Sequence, residues 1–110
     1  MCRARQKMAA EAIIPPKINV TEKGNTEHIR VWKVPRNKNH PEGICYSFRL
    51  ISNRKRVLGY DNNTGEGHHK HFIKDGKLVK TKVDYSDWRL VLLQFKKDVE
   101  TYERDETERD

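Results

Sequence analysis

The stretch His68–Val83, "HHKHFIKDGKLVKTKV", decides the fold, because it places strand-like segments on both sides of an Asp-Gly pair. Asp75 and Gly76 suit the positive φ angles of a type I′ turn, the tight turn that joins two antiparallel strands. The segments "HHKHFI" and "LVKTKV" on either side have the length and the apolar and β-branched content of strands. The stretch therefore predicts a β-hairpin with one strand before the turn and one after it.

Upstream segments extend this hairpin into a sheet. Ile44–Ser52, "ICYSFRLIS", is the clearest further strand, with alternate residues on opposite faces. His28–Val34 and Arg56–Asp61 also have strand character, and Lys17–Thr21 carries a weaker edge-strand pattern. Because short turns separate these segments, the sequence predicts an antiparallel meander of about five strands.

The last part of the chain has the periodicity of an amphipathic helix. Asp84 or Ser86 is the expected N-cap, and Asp87 suits the positive end of the helix dipole. One apolar stripe recurs at helical spacing, made of Trp88, Val91, Leu92, Phe95, Val99 and Tyr102. The predicted fold class is therefore α+β, a small antiparallel sheet with one C-terminal helix packed across it.

Length and charge predict one domain between two charged tails. We place the domain at residues 12–102, after a basic flexible tail at residues 1–11 and before an acidic frayed tail at residues 103–110. The formal net charge is +7, but the last ten residues contain five acids and two bases, which leaves about +10 for residues 1–100. This charge favours a nucleic acid or another polyanion as partner, with a solvated basic surface as the alternative.

Cysteine content and hydropathy bear on the compartment. Cys2 and Cys45 give no disulfide framework, and we expect them to stay unbonded in a reducing cytoplasm. No apolar run is long enough to cross a membrane or to form the core of a signal peptide. The sequence thus predicts a soluble, cytoplasmic protein that makes no membrane contact.

The segment Gly59–Phe72, "GYDNNTGEGHHKHF", concentrates the polar chemistry of the chain. Strand alternation puts His69 and His71 on one face, and His68 and Lys70 on the other. Histidine titrates near neutral pH, so one neutral and one protonated imidazole can act as general base and general acid. His69 and His71 are therefore the expected acid/base pair of a metal-independent RNA-cleaving site.

Neighbouring residues complete this hypothesis. Asp61 could orient one imidazole, and Tyr60 would join the same cluster if a bulge turned it to that face. Cationic side chains and loop residues that approach phosphate would bind the substrate, and the expected set is Lys70, Arg49, Arg56, Asn62, Gly65 and Gly67.

Three other interpretations stay open from the residues alone. His69, His71 and Asp61 could form a metal site, although no cysteine lies nearby and closed zinc sites usually have four ligands. The same groups could bind phosphate without cleaving it, or they could be ordinary surface residues of a hairpin. We expect no metal and no cofactor.

Four segments of the chain resemble the TumE family of toxins from toxin–antitoxin systems. They are Ile29–Pro35 ("IRVWKVP"), Tyr46–Leu50 ("YSFRL"), Gly59–His71 ("GYDNNTGEGHHKH") and the helix end Phe95–Glu100 ("FKKDVE"). The central motif is occupied by Tyr60, Asp61, Asn62, Gly65, Gly67, His69, Lys70 and His71. The chain departs from the family at Lys70, where members usually have arginine, and the resemblance covers about residues 12–100.

The resemblance implies a toxin encoded beside a helix-turn-helix antitoxin. By analogy with other small basic toxins, it also implies an endoribonuclease with RNA as its substrate, while self-association as a homodimer is left open. It implies nothing for the basic N-terminal residues or for the acidic C-terminal ones. The alternative function is a non-catalytic module that binds nucleic acid or another polyanion.

Overall fold

The computed structural model describes residues 11–62 and 67–108, and these form six strands and one helix. The strands are β1 (Glu11–Val20), β2 (Thr26–Lys33), β3 (Ile44–Ser52), β4 (Lys55–Asp61), β5 (His69–Lys74) and β6 (Lys77–Lys82). Helix α1 spans Trp88–Glu108. Apart from Glu11, the expected N-terminal tail lies outside the described residues.

The strands form one antiparallel sheet in the order β1-β2-β3-β4-β5-β6, which confirms the predicted meander. The weak edge-strand pattern belongs to β1, which is ten residues long. At the hairpin, Lys74 pairs with Lys77 around Asp75 and Gly76, whose φ angles are 53° and 79°. Positive φ at both central residues is the type I′ geometry that the Asp-Gly pair predicted.

Helix α1 packs across one face of the sheet, so the predicted α+β class is confirmed. Tyr46, Phe48 and Leu50 of β3 point to this helix-side face and are fully buried. Phe95 of α1 packs on Phe48 with 5.9 Å between the ring centroids. Burying each of these side chains contributes roughly 1.5–3 kcal/mol. The opposite face of the sheet is called the open face, because α1 does not cover it.

The start of α1 differs from the prediction by a few residues. Asp87, rather than Asp84 or Ser86, is the N-cap, because its Oδ1 accepts a hydrogen bond of 2.8 Å from the backbone N–H of Arg89. A capping aspartate satisfies an amide that has no partner within the helix, and it also suits the helix dipole.

The helix also continues to Glu108, through residues that were expected to fray beyond Tyr102. Glu103 accepts hydrogen bonds from the side chains of Thr21 and Asn25 in the turn between β1 and β2. These long-range contacts hold a part of the chain whose own sequence has no apolar stripe.

Cys45 is buried in β3 and is bonded in a disulfide whose partner lies outside the described residues. The expectation that Cys45 stays unbonded is therefore wrong, and the argument for a reducing compartment loses its basis. In the described part of the chain, no helix is both long and apolar enough to cross a membrane.

Candidate functional site

Strand alternation divides the predicted site residues between the two faces of the sheet. In the β4–β5 register, Asp61 lies opposite His69, whereas Tyr60 lies opposite Lys70. Residues that face each other across antiparallel strands share one face of the sheet. Asp61 and His69 therefore share the open face with His71, while Tyr60 and Lys70 share the helix-side face.

Asp61 and His71 make the central contact of the open face. Nε2 of His71 lies 3.2 Å from Oδ2 of Asp61, and the two side chains are only 13% and 10% exposed. This contact runs diagonally between β4 and β5, because the residue directly opposite Asp61 is His69 and His71 lies two residues further along β5. An Nε2–H that donates to the carboxylate leaves the lone pair on Nδ1, so the contact sets the tautomer of His71.

The surroundings of His71 favour its neutral form. Burial lowers the pKa of His71 below the ordinary 6.5, the Asp61 carboxylate opposes this shift, and the charges of Arg56 and Lys80 act with it. An imidazole that is neutral near pH 7 and carries its lone pair on a defined nitrogen can act as a general base.

His69 is held in place by the residue two positions before it. Nδ1 of His69 lies 3.2 Å from the carbonyl oxygen of Gly67, and the residue is only 6% exposed. Gly67 has φ +92°, a left-handed conformation that glycine adopts without a Cβ clash. His69 and His71 are two residues apart on β5, which is about 7 Å between their Cα atoms.

Arg49 and Arg56, which were expected to bind substrate, lie beside this pair. Gly59 stands between Arg49 and His71 in the register across β3, β4 and β5. A Cβ added to Gly59 would lie 3.6 Å from Cδ of Arg56 and 3.8 Å from Cγ of Arg49. The stems of both arginines therefore pack over the space that the glycine leaves empty, and both cations are brought to the open face.

Tyr60 and Lys70 contact helix α1, whereas Tyr60 was expected to cluster with the histidines and Lys70 to contact phosphate. The hydroxyl of Tyr60 donates to Oδ2 of Asp98, and Nζ of Lys70 lies 3.0 Å from the same oxygen. Burial raises the pKa of Tyr60, and the hydrogen bond to Asp98 adds to the shift. The bulge that would have turned Tyr60 is absent from the β4–β5 pairing, which has a regular register.

Asn62 is buried and holds two backbone groups of β3, where the sequence suggested a substrate contact. Its Oδ1 accepts from the backbone N–H of Tyr46 at 2.9 Å, and its Nδ2 donates to the carbonyl of Ile44 at 2.8 Å. With 1% exposure, its side chain has no surface for a ligand. Gly65, also expected in the site, lies outside the described residues.

His68 lies away from the pair His69 and His71, as alternation predicted, but its surroundings were not foreseen. Its ring stacks on Tyr85 with 3.9 Å between centroids. Its Nδ1 lies 2.9 Å from the hydroxyl of Tyr46, and its Nε2 lies 3.2 Å from Glu42. These contacts tie the loop after β2 to the start of β5. The partners are far apart in sequence, so no local pattern could have indicated the network.

The open face gathers basic residues from five strands. Residues that pair in succession from β2 to β6 form rows across this face. One row is His28, Arg49, Gly59, His71 and Lys80, and the neighbouring row is Arg30, Ser47, Asp61, His69 and Lys82. In these rows Asp61 is the one carboxylate among lysines, arginines and histidines. Such a surface attracts phosphates. His28 and Arg30 of β2 were not foreseen as site residues, because the central motif of the family, Tyr60–His71, lies far from them in the chain.

Metal ligation was an open alternative for His69, His71 and Asp61. Within residues 11–62 and 67–108, no group of three or more His, Cys, Asp or Glu side chains is arranged to hold a metal ion.

Comparison with known proteins gives one family. The family model described as toxin TumE matches residues 8–103, which is most of the chain. The match includes all six strands and the Asp61–His71 contact. No curated protein and no solved structure matches the chain.

Proposed function

The chain belongs to the TumE family of toxins, and from this premise we propose that it is an endoribonuclease that needs no metal ion. Family membership makes it the toxin component of a toxin–antitoxin system and implies an antitoxin partner. The observation that carries the proposal is the 3.2 Å contact between Asp61 and His71 on a sheet face rich in arginine and lysine.

In the proposed reaction, the 2′-hydroxyl of a ribose attacks the phosphorus of its own 3′-phosphodiester. The bond between the 2′ oxygen and phosphorus forms as the bond to the 5′ oxygen of the next nucleotide breaks. The products are a 2′,3′-cyclic phosphate and a free 5′-hydroxyl. Nδ1 of neutral His71 accepts the proton of the 2′-hydroxyl, and Asp61 holds the ring and stabilises the imidazolium that results.

His69 supplies the proton for the leaving oxygen in this scheme. Its Nδ1–H is engaged by the carbonyl of Gly67, which directs Nε2 away from the backbone. A protonated Nε2 would donate to the 5′ oxygen and leave His69 neutral. In this scheme the acid and the base, two residues apart on one face of β5, act from opposite sides of one phosphate.

Arg49 and Arg56 neutralise the charge that grows on the phosphate oxygens in the transition state. Guanidinium groups suit this role because they form charge-assisted, paired hydrogen bonds with phosphate. Removing one donor of this kind typically costs about 10²–10³ in kcat.

The test is cleavage of RNA by the purified protein in EDTA. The wild type should yield cyclic phosphate ends, while His71→Ala and His69→Ala should each lose about 10²–10⁴ in rate. Lys23→Ala is the control, because Lys23 is exposed in the turn between β1 and β2 and should leave the rate unchanged. Undiminished cleavage by both site variants would contradict the assignment. Loss of wild-type cleavage in EDTA, restored by added divalent metal, would contradict metal independence.

A second candidate function is binding of RNA or another polyanion without cleavage. The cationic rows of the open face support it, since they would hold phosphates whether or not a reaction followed. Both candidates predict that log affinity falls linearly with log salt concentration. They differ in product, because only the enzyme releases fragments with cyclic phosphate ends.

The antitoxin is proposed to be a helix-turn-helix protein, as the family resemblance suggests, and action on cellular messenger or ribosomal RNA would place the toxin in the cytoplasm. Co-expression with the product of the adjacent gene checks the first point. A stable complex that abolishes RNA cleavage would support it, and an adjacent gene of another class would contradict it.

A further inference from the structure

A second feature of the open face lies beside the proposed catalytic pair. It is a cleft of about 160 Å³ over β1, β2 and β3. Its open-face lining has the polar side chains of His28, Arg30, Ser47 and Arg49 and the apolar side chains of Pro16 and Ile18. Lys17 and the buried Ile29 also border it, but they pair with each other in the helix-side register. Of these residues, only Arg49 was foreseen as a site residue from the sequence.

Among the described residues, the arginines of this cleft, Arg30 and Arg49, have no partner of opposite charge. Burial lowers the pKa of Arg30, and the charge of Arg49 lowers it further. The pKa of His28 is lowered by the same two causes in the same order. Like charges that repel one another in a partly buried cleft are stabilised by a bound anion.

The apolar side of the cleft is exposed rather than packed. Ile18 is 62% exposed although it is a large apolar residue, and Pro16 beside it is exposed as well. The exposed apolar side chains of Ile18 and Pro16 lie next to the cations of Arg30 and Arg49. This combination suits a nucleotide, which has a charged phosphate and a less polar ribose and base. Phosphate binds to the cations, and the ribose or the base packs on the apolar side chains.

The register relates the cleft to the catalytic pair. His28 and His71 lie in one row across the sheet, with Arg49 and Gly59 between them. Three strand spacings separate their Cα atoms by about 14 Å, so the two histidines cannot contact the same phosphate. Arg49 lines the cleft and also lies next to Gly59, which makes it the link between the two positions.

We propose that this cleft is a nucleotide subsite, in which Arg30 and Arg49 bind the phosphate of a nucleotide that flanks the scissile bond and Ile18 contacts its ribose or base. The inference rests on the proposed RNA-cleaving function and adds a second nucleotide position to it. Its consequence is that an RNA long enough to reach the cleft binds better, and is cleaved more efficiently, than a dinucleotide.

Binding is tested with a fluorescent RNA hexamer of mixed sequence in which every 2′-hydroxyl is methylated, so that it cannot be cleaved. Arg30→Gln should weaken binding about 3- to 10-fold and reduce the magnitude of the salt slope by about 1. Ile18→Glu places a negative charge in the cleft at an exposed position and should weaken binding at least as much. Arg104→Gln, on the exposed side of α1, removes one cation outside the cleft and should change little. Circular dichroism confirms that each variant is folded.

Cleavage is measured in parallel on an unmodified hexamer and on the sixteen dinucleoside monophosphates. Arg30→Gln should lower kcat/KM on the hexamer about 3- to 10-fold and leave the dinucleotides unchanged. If the wild type cleaves nothing but Arg30→Gln still weakens hexamer binding, the proposed function fails and the subsite stands. Equal hexamer affinity of Arg30→Gln and wild type, or an equal loss with Arg104→Gln, would overturn the subsite. A loss confined to antitoxin affinity would also overturn it and would assign the cleft to a protein interface.

Discussion

Nε2 of His71 lies 3.2 Å from Oδ2 of Asp61 on the open face of the sheet, although the direct cross-strand neighbour of Asp61 is His69. The diagonal contact joins β4 to β5 and leaves Nδ1 of His71 as the nitrogen with the lone pair. The dyad thus fixes both the orientation and the tautomer of one imidazole at the centre of a cationic surface.

Replacing Asp61 by asparagine should lower kcat and shift the pH profile. The carboxylate raises the pKa of His71, so its removal should lower that pKa and move the acidic limb of kcat to lower pH. Loss of the charge that stabilises the imidazolium should reduce kcat about 10- to 100-fold. A pH–rate profile on one RNA substrate measures both effects. An acidic limb at the wild-type position would show that Asp61 does not act through His71.

Replacing Gly59 by alanine should disturb the fold and the site together. The new Cβ would lie 3.2 Å from the carbonyl oxygen of Phe48, a backbone atom that cannot move aside alone. We expect a loss of about 1–3 kcal/mol in unfolding free energy, together with weaker RNA binding as Arg49 and Arg56 are displaced. Thermal unfolding and hexamer binding measure the two effects. Thr81→Ala, at an exposed position of β6, should stay within about 0.5 kcal/mol of the wild type.

Replacing Tyr60 by phenylalanine separates a structural role from a catalytic one. The hydroxyl donates to Asp98 of α1, so its removal should lower the unfolding free energy by about 1–3 kcal/mol. The rate of RNA cleavage per folded molecule should stay close to that of the wild type, because the proposed reaction uses the opposite face of the sheet. Urea titration measures the unfolding free energy, and single-turnover cleavage measures the rate per folded molecule. A large fall in rate with unchanged stability would return Tyr60 to the catalytic site.

Acidification should destabilise the protein through the partly buried histidines His40 and His71. Burial is the main cause that lowers the pKa of His40 and of His71 below the ordinary 6.5. The unfolded chain therefore binds more protons than the folded one as pH falls through 6.5, so the unfolding free energy should decrease from pH 7 to pH 5. Urea unfolding at several pH values measures the slope, which His71→Gln should make shallower. A wild-type stability that is constant or rises over this range would contradict the prediction.

The sequence predicted the side-chain directions on β5 correctly, because strand alternation is a local property of the backbone. The same rule indicated that Tyr60 and Asp61 could share a face only through a bulge, and the β4–β5 pairing has none. Asn62 shows that burial, which a local sequence pattern does not reveal, can also decide the role of a side chain. Its position in a polar loop suggested a ligand contact, but burial against β3 commits its amide to Tyr46 and Ile44.

The sequence did not indicate that His28 and Arg30 belong to the candidate site. Their segment has the pattern of a strand and no motif of a functional site. Only the pairing of β2 with β3 brings them beside Arg49. Residues distant in the chain become neighbours through register, which depends on how several turns close at once. The contacts of Glu103 with the turn between β1 and β2 have the same origin.

By itself, the sequence determined the order of strands, the Asp75-Gly76 hairpin and the apolar stripe of the helix, since turn chemistry and periodicity act over a few residues. Only the tertiary structure decided which face α1 covers. The helix buries the face that carries Tyr46, Phe48 and Leu50, because that side of the sheet offers the larger apolar surface. That choice commits Tyr60 and Lys70 to structural contacts and leaves Asp61, His69 and His71 on the face that α1 does not cover.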